Sequence, residues 1–265
     1  MSKPQNPSEK HAKTFWQKRY LEWRAIWTSI VVLTLMSLST LVILLVQLLT
    51  LFQARRFCMD VVARSFARLI LWLIGIRVYK VGFTEFPKEP CVYISNHSST
   101  IDFFAITALG IPQNRAFLTK RLRVFPPIWL MVLLLGHFFI DVQKYPKKRA
   151  ACFQRAEAIL RETGDNVFLT PEGTRVIGGE VGHFNKGAFH LATALKRPIV
   201  PLYLKVPEVI DPGKGFKSKT GHIEIYMHPP IETSNWTLEE LLENKEGVRQ
   251  LYKDFPEGEW LQKAG

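Results

Sequence analysis

Hydrophobic and polar positions divide the chain into two stretches with different periods. Residues 25–54, AIWTSIVVLTLMSLSTLVILLVQLLTLFQA, carry no charge. As a helix that run would reach about 45 Å, beyond the ~30 Å of a bilayer core, so it predicts a tilted or bent membrane helix. Residues 57–76, FCMDVVARSFARLILWLIGI, repeat the helical period but place Arg64 and Arg68 on neighbouring turns. Those arginines share a face and are expected to meet headgroups, while Val61, Phe66, Leu69 and Leu73 meet lipid or a partner helix. A hairpin that enters the membrane and returns is the predicted arrangement for residues 25–78. A single span followed by a surface-lying helix is the alternative.

Beyond Cys91 the apolar runs shorten. Val92–Ser95, Ala116–Thr119, Phe138–Val142, Val167–Thr170, Ile199–Leu204 and Ile223–Met227 read as strands. Between and after them, Ile101–Leu109, Ile128–Leu135, Lys147–Arg161, Lys186–Leu195 and Leu238–Tyr252 read as helices. Such alternation predicts an α/β fold, a central mostly parallel or mixed sheet flanked by helices, preceded by the N-terminal membrane-embedded hairpin. Runs such as PIVPLYL suit strands buried on both faces. The expected organisation is a basic lead-in over residues 1–24, the membrane-embedded helical pair over 25–78, and one α/β domain over 79–265.

Charge narrows the class of partner. The formal net charge is +12 over 265 residues, which implies a polyanionic partner: nucleic acid, an anionic membrane surface or a phosphorylated substrate. Much of that charge borders the apolar segment, with Lys3, Lys10, Lys13, Lys18, Arg19 and Arg24 before it and Arg55, Arg56, Arg64 and Arg68 after it. No strand motif mixes aromatic and basic residues, so nucleic acid is not the expected partner. The positive-inside rule puts either flank in the cytoplasm, which predicts a cell-membrane protein with its catalytic domain on the cytoplasmic face. Cys58, Cys91 and Cys152 are odd in number and lack metal-like spacing, as expected of reduced thiols facing the cytosol.

The chemistry concentrates in two loops. In YISNHSSTID a strand ends in Asn96-His97, and a helix begins with Asp102 in its first turn. That geometry lets the carboxylate fold back onto one imidazole nitrogen and leave the other to act as a base on a hydroxyl. Asp102 has a plainer reading too, as the acid of a Ser-x-x-Asp capping box with Ser99 as N-cap. No Gly-x-Ser-x-Gly elbow supplies a nucleophile, so the pair suits direct attack by a substrate hydroxyl. The second loop, VFLTPEGTRV, follows a strand and carries Glu172, Gly173, Thr174 and Arg175 on a tight turn. Arg175 is permanently charged and planar, which suits phosphate.

Together these residues resemble the glycerolipid acyltransferase family over roughly residues 90–205. Asn96-His97-x4-Asp102 matches its first motif, Gly136-His137-Phe138-Phe139-Ile140-Asp141 the second, Pro171–Arg175 the third and Ile199-Val200-Pro201-Leu202 the fourth. Lys120 in FLTKRL and the segment FNKGAFHLA at 184–192 are similar to the family's intervening stretches. One departure is Val142, where the family usually has a basic residue after the second-motif Asp; Lys144 follows two positions later. The resemblance implies transfer of a fatty acyl group from acyl-CoA or acyl-ACP, as co-substrate, to a membrane lysophospholipid, with lysophosphatidic acid the expected acceptor. It implies no cofactor and no metal. His97 and Asp102 would be catalytic, and Lys120, Glu172, Gly173, Thr174 and Arg175 would bind substrate. Acylation of a different lysolipid and a non-catalytic basic membrane adaptor are the competing expectations.

Overall fold

The computed structural model describes residues 7–82, 85–176, 180–207, 210 and 218–255, with side chains from residue 16 onward. Lys3 and residues 256–265 of the expected domains lie outside the described residues, as do the side chains of Lys10 and Lys13. Helix α1 runs unbroken over Pro7–Leu49 and includes the lead-in that the sequence set apart. After a turn, α2 (Arg55–Phe57), a π-helical stretch (Cys58–Ala63) and α3 (Arg64–Leu73) run back alongside it.

Arg64 and Arg68, expected to meet headgroups, also reach into the protein, although Arg68 stays exposed. Helix α4 (Asp102–Leu109) ends against them, Arg64 Nη2 donating to Leu109 O at 3.4 Å and Arg68 Nε to Ala108 O at 3.2 Å. Their cationic ends meet the carbonyls that a helix leaves unpaired at its C-terminus. Sequence spacing placed them on one face; it did not say that another helix would end there.

The remaining elements are β1 (Ile76–Val81), β2 (Val92–Ser95), β3 (Asn114–Thr119), α5 (Pro126–Leu135), β4 (Phe138–Ile140), α6 (Pro146–Thr163), β5 (Asn166–Leu169), α7 (Gly187–Leu195), β6 (Ile199–Lys205), β7 (Gly221–Met227) and α8 (Leu241–Lys253), with a 3-10 turn over Lys120–Val124. They build one seven-stranded sheet in the order β1-β7-β6-β2-β5-β3-β4. It is mixed, because β6 and β7 pair antiparallel and every other pairing is parallel. β1 was not expected, and the 78/79 boundary falls inside it.

Alternate residues of the central strands feed two cores, as the pleat requires. Tyr93 and Phe168 pack with α1, α3, α4 and α5, whereas Val92, Ile94, Val167 and Leu169 pack with α6, α7 and α8. Burial on both faces explains the nearly continuous apolar runs. The N-terminal helices are integral to the first core: Val31, Val32, Met36 and Ile43 of α1 and Ala67 and Ile70 of α3 join it. Side-chain bonds add register, with Thr40 Oγ1 donating to Pro127 O at 3.0 Å and Gln47 Nε2 to Leu134 O at 3.1 Å. The outer face of α1 stays apolar and exposed from Trp16, Tyr20 and Trp23 through Leu41 and Leu45 to Leu49.

Candidate active site

Strands β2, β5, β3 and β4 are parallel neighbours, so their carboxyl ends emerge at one edge of the sheet. Sites in α/β proteins form at such edges because the following loops converge there. β2 runs into Asn96-His97, and the buried Asn96 amide continues the ladder with a side chain. Its Nδ2 donates to Leu204 O at 2.9 Å, while its Oδ1 accepts from Leu204 N at 2.8 Å.

Asp102 opens α4, and the N-cap is Ile101 rather than Ser99. Ser99 contributes differently, its Oγ accepting from Ile101 N at 2.9 Å. The Asp102 side chain is nearly dry. Its Oδ2 meets His97 Nδ1 at 2.8 Å and accepts from Ser98 N and Ser99 N at 2.9 Å each. The His97 side chain keeps 28% of its surface exposed, against 3% for Asp102. One ring nitrogen is thus committed to a fixed carboxylate while the imidazole stays open to solvent. That is the arrangement a general base needs.

The second loop grips the first. Glu172 is buried; its Oε2 accepts from His97 N at 2.7 Å and its Oε1 from Gly182 N at 2.8 Å. Burial raises its pKa, although both amides and the nearby His97 oppose the shift. Val176 N donates to His97 O at 2.8 Å, so both backbone polar groups of His97 are held by this loop. Arg175 Nη1 donates to Thr100 Oγ1 at 2.6 Å, which sets the guanidinium beside the His97–Asp102 turn. Gly173 takes φ +69, and a Cβ there would approach Asn185 Nδ2 at 3.0 Å, which explains the glycine. Thr174 is exposed at the tip.

Lys120 leaves the end of β3 and pairs with Asp141 of the second motif, whose carbonyl also accepts from Arg149 Nη1 at 2.8 Å. Asn185 bridges the two halves. Its Nδ2 donates to Pro171 O at 2.8 Å and Glu172 O at 3.0 Å, and its Oδ1 accepts from Gln143 Nε2 at 3.1 Å. Sequence reasoning gave no role to Asn185, Gln143 or Gly182; only the segment FNKGAFHLA marked the first of them. His137 turns inward from the second motif. It accepts at Nδ1 from Ala116 N at 3.1 Å, and burial, aided by Arg115 and Arg55, pushes its pKa down to about 3, so it is neutral. His137, Phe103, Thr107 and Leu135 border two adjoining apolar cavities between the N-terminal helices and α4–α5.

Comparison with known proteins bears on the family and the fold. Residues 77–205 match the Acyltransferase family profile. A 1-acyl-sn-glycerol-3-phosphate acyltransferase of Limnanthes douglasii is 28% identical over 184 residues, covering 69% of this chain and 65% of that protein. The protein so named in Saccharomyces cerevisiae is 29% identical over 210 residues, 78% of this chain and 69% of its own length. The human beta enzyme of that name is 32% identical over 176 residues, 65% of this chain and 62% of its own. The crystal structure of the 1-acyl-sn-glycerophosphate acyltransferase PlsC from Thermotoga maritima shares the fold, with a TM-score of 0.73 at 18% identity, covering 92% of this chain and 100% of that one. The profile match over residues 77–205 and these similarities support membership of the acyltransferase family for that part of the chain. It spans a little under two thirds, 65%, of the length of the Limnanthes relative.

Proposed function

We propose that this protein is a membrane-bound 1-acylglycerol-3-phosphate O-acyltransferase. It moves a fatty acyl group from acyl-CoA or acyl-ACP to the sn-2 hydroxyl of lysophosphatidic acid, giving phosphatidic acid. The observation that carries the reading is the His97 Nδ1–Asp102 Oδ2 contact of 2.8 Å at a partly open sheet edge. With Nδ1–H donating to the carboxylate, Nε2 takes the acceptor's hydroxyl proton. The oxygen attacks the thioester carbonyl, the tetrahedral intermediate expels thiolate, and the imidazolium returns the proton to sulfur. Asp102 offsets the imidazolium charge while it lasts.

Arg175 and Lys120 are the proposed phosphate cations, and the Gly173–Thr174 backbone the proposed wall of the acceptor site. The buried Glu172 carboxylate gives both oxygens to backbone amides, so in this reading it shapes the site without touching the acceptor.

Membrane attachment through α1 belongs to the same proposal. Lys18–Leu49 is long and apolar enough to cross a bilayer by length and composition. Both ends of that stretch are tied to the α/β domain, however. Arg24 Nη2 donates to Ile74 O at 2.8 Å and Ser218 O at 3.2 Å near one end, and Gln47 to Leu134 O at the other. These ties support a re-entrant hairpin lying beside the domain, with Lys10 and the active site on one side, the cytoplasmic one. Exposed Val124, Phe125 and Trp129, next to Arg121, Arg123, Lys144, Lys147 and Lys148, suit an anionic surface at ~1 kcal/mol per charge. Purified full-length protein with labelled acyl thioester and a lysolipid panel tests the activity. Phosphatidic acid as main product is expected; no His97-dependent thioester consumption, or preferred acylation of a headgroup-bearing lysolipid, would overturn it.

A further inference from the structure

We infer that the C-terminal helix α8 positions the catalytic histidine, with Arg249 acting through Gly182 and Glu172. The inference rests on the acyl-transfer reading for its kinetics and on geometry for the rest. α8 lies outside the residues that match the family profile, 77–205, so none of the four motifs includes it.

The path is short. Arg249 Nε donates to Gly182 O at 2.6 Å, and Nη2 donates to Val181 O at 3.2 Å. Val181 O and Gly182 N belong to one peptide group, and that amide donates to Glu172 Oε1 at 2.8 Å. The other carboxylate oxygen accepts the His97 amide at 2.7 Å. One peptide group is therefore held by a guanidinium on its carbonyl and by a buried carboxylate on its N–H. Donation to the carbonyl polarises the peptide and strengthens the N–H bond beyond it.

Packing ties Gly182 to His97 a second way. A Cβ at Gly182 would lie 2.7 Å from Val176 Cγ2, and Val176 N donates to His97 O at 2.8 Å. Both backbone groups of His97 thus depend on neighbours that rest on Gly182. A shift of this segment would leave Glu172, 3% exposed, with an oxygen unpaired in a dry site. α8 is firm enough to hold it: Val248 and Tyr252 are buried, and the Tyr252 hydroxyl donates to Ile94 O at 3.0 Å. Arg249 is accordingly a positioning residue, three residues before that anchor.

The test uses full-length protein carrying Arg249→Ala, Arg249→Lys or Glu246→Gln. Glu246→Gln removes the acid that pairs with Arg249 Nη1 at 2.8 Å and leaves the carbonyl bonds in place. Turnover, the KM for both substrates, and hydrogen exchange over residues 92–104 and 199–205 are measured. Arg249→Ala should lower kcat about tenfold or more with KM within about twofold, because misplacing the base affects the transition state more than binding. Exchange should rise over 92–104, which includes the His97 amide, and stay unchanged in strand 199–205. Arg249→Lys, with one ammonium for two carbonyls, should fall between, and Glu246→Gln should match wild type. Normal turnover and normal exchange over 92–104 in Arg249→Ala would overturn the proposal. If Arg249→Ala loosens 199–205 as well, Arg249→Lys decides: an intermediate kcat with only 92–104 loosened supports it, and wild-type values in both overturn it. Failure of wild type to transfer any acyl group would sink the functional reading alone, since exchange over 92–104 still reports on positioning.

Discussion

The two ends of the central sheet bury carboxylates in opposite ways. At the carboxyl end, Asp102 and Glu172 accept from backbone amides and one imidazole. At the amino end, Asp165 is wholly buried between arginines, with Arg55 Nη2 at 2.8 Å and Arg115 Nε at 2.7 Å. Its backbone is used as well, Arg197 Nη1 donating to its carbonyl at 2.8 Å. The pKa directions follow. Burial raises Glu172 and its amides fail to reverse that, whereas at Asp165 bonds from Arg115 and Arg55 outweigh burial and hold the carboxyl below its usual value. Neutral donors orient a carboxylate and leave it charge to lend to an imidazolium; cationic donors neutralise it. One end carries the arrangement proposed for proton transfer, and the other joins the N-terminal helices to the sheet.

The sharpest break between the ends is expected from His97→Ala. It should cut acyl transfer by roughly three to four orders of magnitude, as loss of an essential base does elsewhere. The melting temperature should hardly move, because the imidazole is partly exposed and, among the described residues, is hydrogen-bonded to Asp102. Turnover above a tenth of wild type at neutral pH would refute the base assignment.

Asp165→Asn should show the reverse pattern. Removing one partner of a buried ion cluster costs ~3–5 kcal/mol, a melting point about 10 °C lower or more for a chain of this size, with KM unchanged at permissive temperature. The pH dependence has a definite sign. The folded-state pKa is depressed, so this group's stabilisation is fully present above its unfolded value, about 4, and is lost as pH falls through the folded one. The gap between wild type and variant should stay constant near neutrality and close only under acid. A gap that already closes between pH 7 and 5 would mean that Asp165 is not the group responsible.

The comparison also shows what could be read from the sequence. His97, Glu172 and Arg175 were legible because each stands in a loop after an apolar strand run, and Asp102 because it opens the helix that follows the first of these loops; the structure brings the two segments together. Six strands were legible for the same reason. β1 was not: IRVYKV breaks alternation after Val78, follows an apolar helix after only the Ile74–Gly75 turn, and sits at the sheet's rim, paired among the described residues with the distant β7. The Asp165 cluster escaped too. Arg55 and Arg115 are 110 and 50 residues away in sequence, and nothing in GDN, where Asp165 sits, distinguishes a staple from a turn. Asn185 and Arg249 bond backbone carbonyls of remote loops and Gly182 N bonds the distant Glu172 carboxylate, partners that no local pattern in the sequence announces.

Arg175→Ala tests whether the phosphate is read at the carboxyl end. Loss of a charge-assisted bond costs ~1.5–3 kcal/mol, or about ten- to a hundredfold in kcat/KM for lysophosphatidic acid, and the rise should fall mainly on KM. Arg175→Lys should recover only part, lacking the planar fork. The 2.6 Å bond from Arg175 to Thr100 gives the rival its basis: the arginine would hold the loop and touch no substrate. In that case the loss would be equal for phosphate-bearing and headgroup-bearing acceptors and accompanied by a lower melting point. Thr100→Val separates the two, since it removes this one bond but keeps the arginine and its charge.

The smallest expected effect is that of Tyr252→Phe. The hydroxyl donates to Ile94 O at 3.0 Å and also has a backbone hydrogen bond with Leu202, where the register sets Ile94 beside Pro201, a residue with no N–H to offer a ladder. Its loss should cost ~1 kcal/mol and lower the melting temperature by about 2–4 °C. The ring itself should stay, packed on Phe184 at 5.3 Å and Tyr203 at 6.2 Å between centroids. α8 would then remain docked with Arg249 still on its carbonyls, so turnover should stay within about twofold of wild type. A melt beside steady-state kinetics measures both. Should Tyr252→Phe lose as much turnover as Arg249→Ala while melting normally, general docking of α8 would govern His97, and the guanidinium bonds to the 181–182 segment would have no special part.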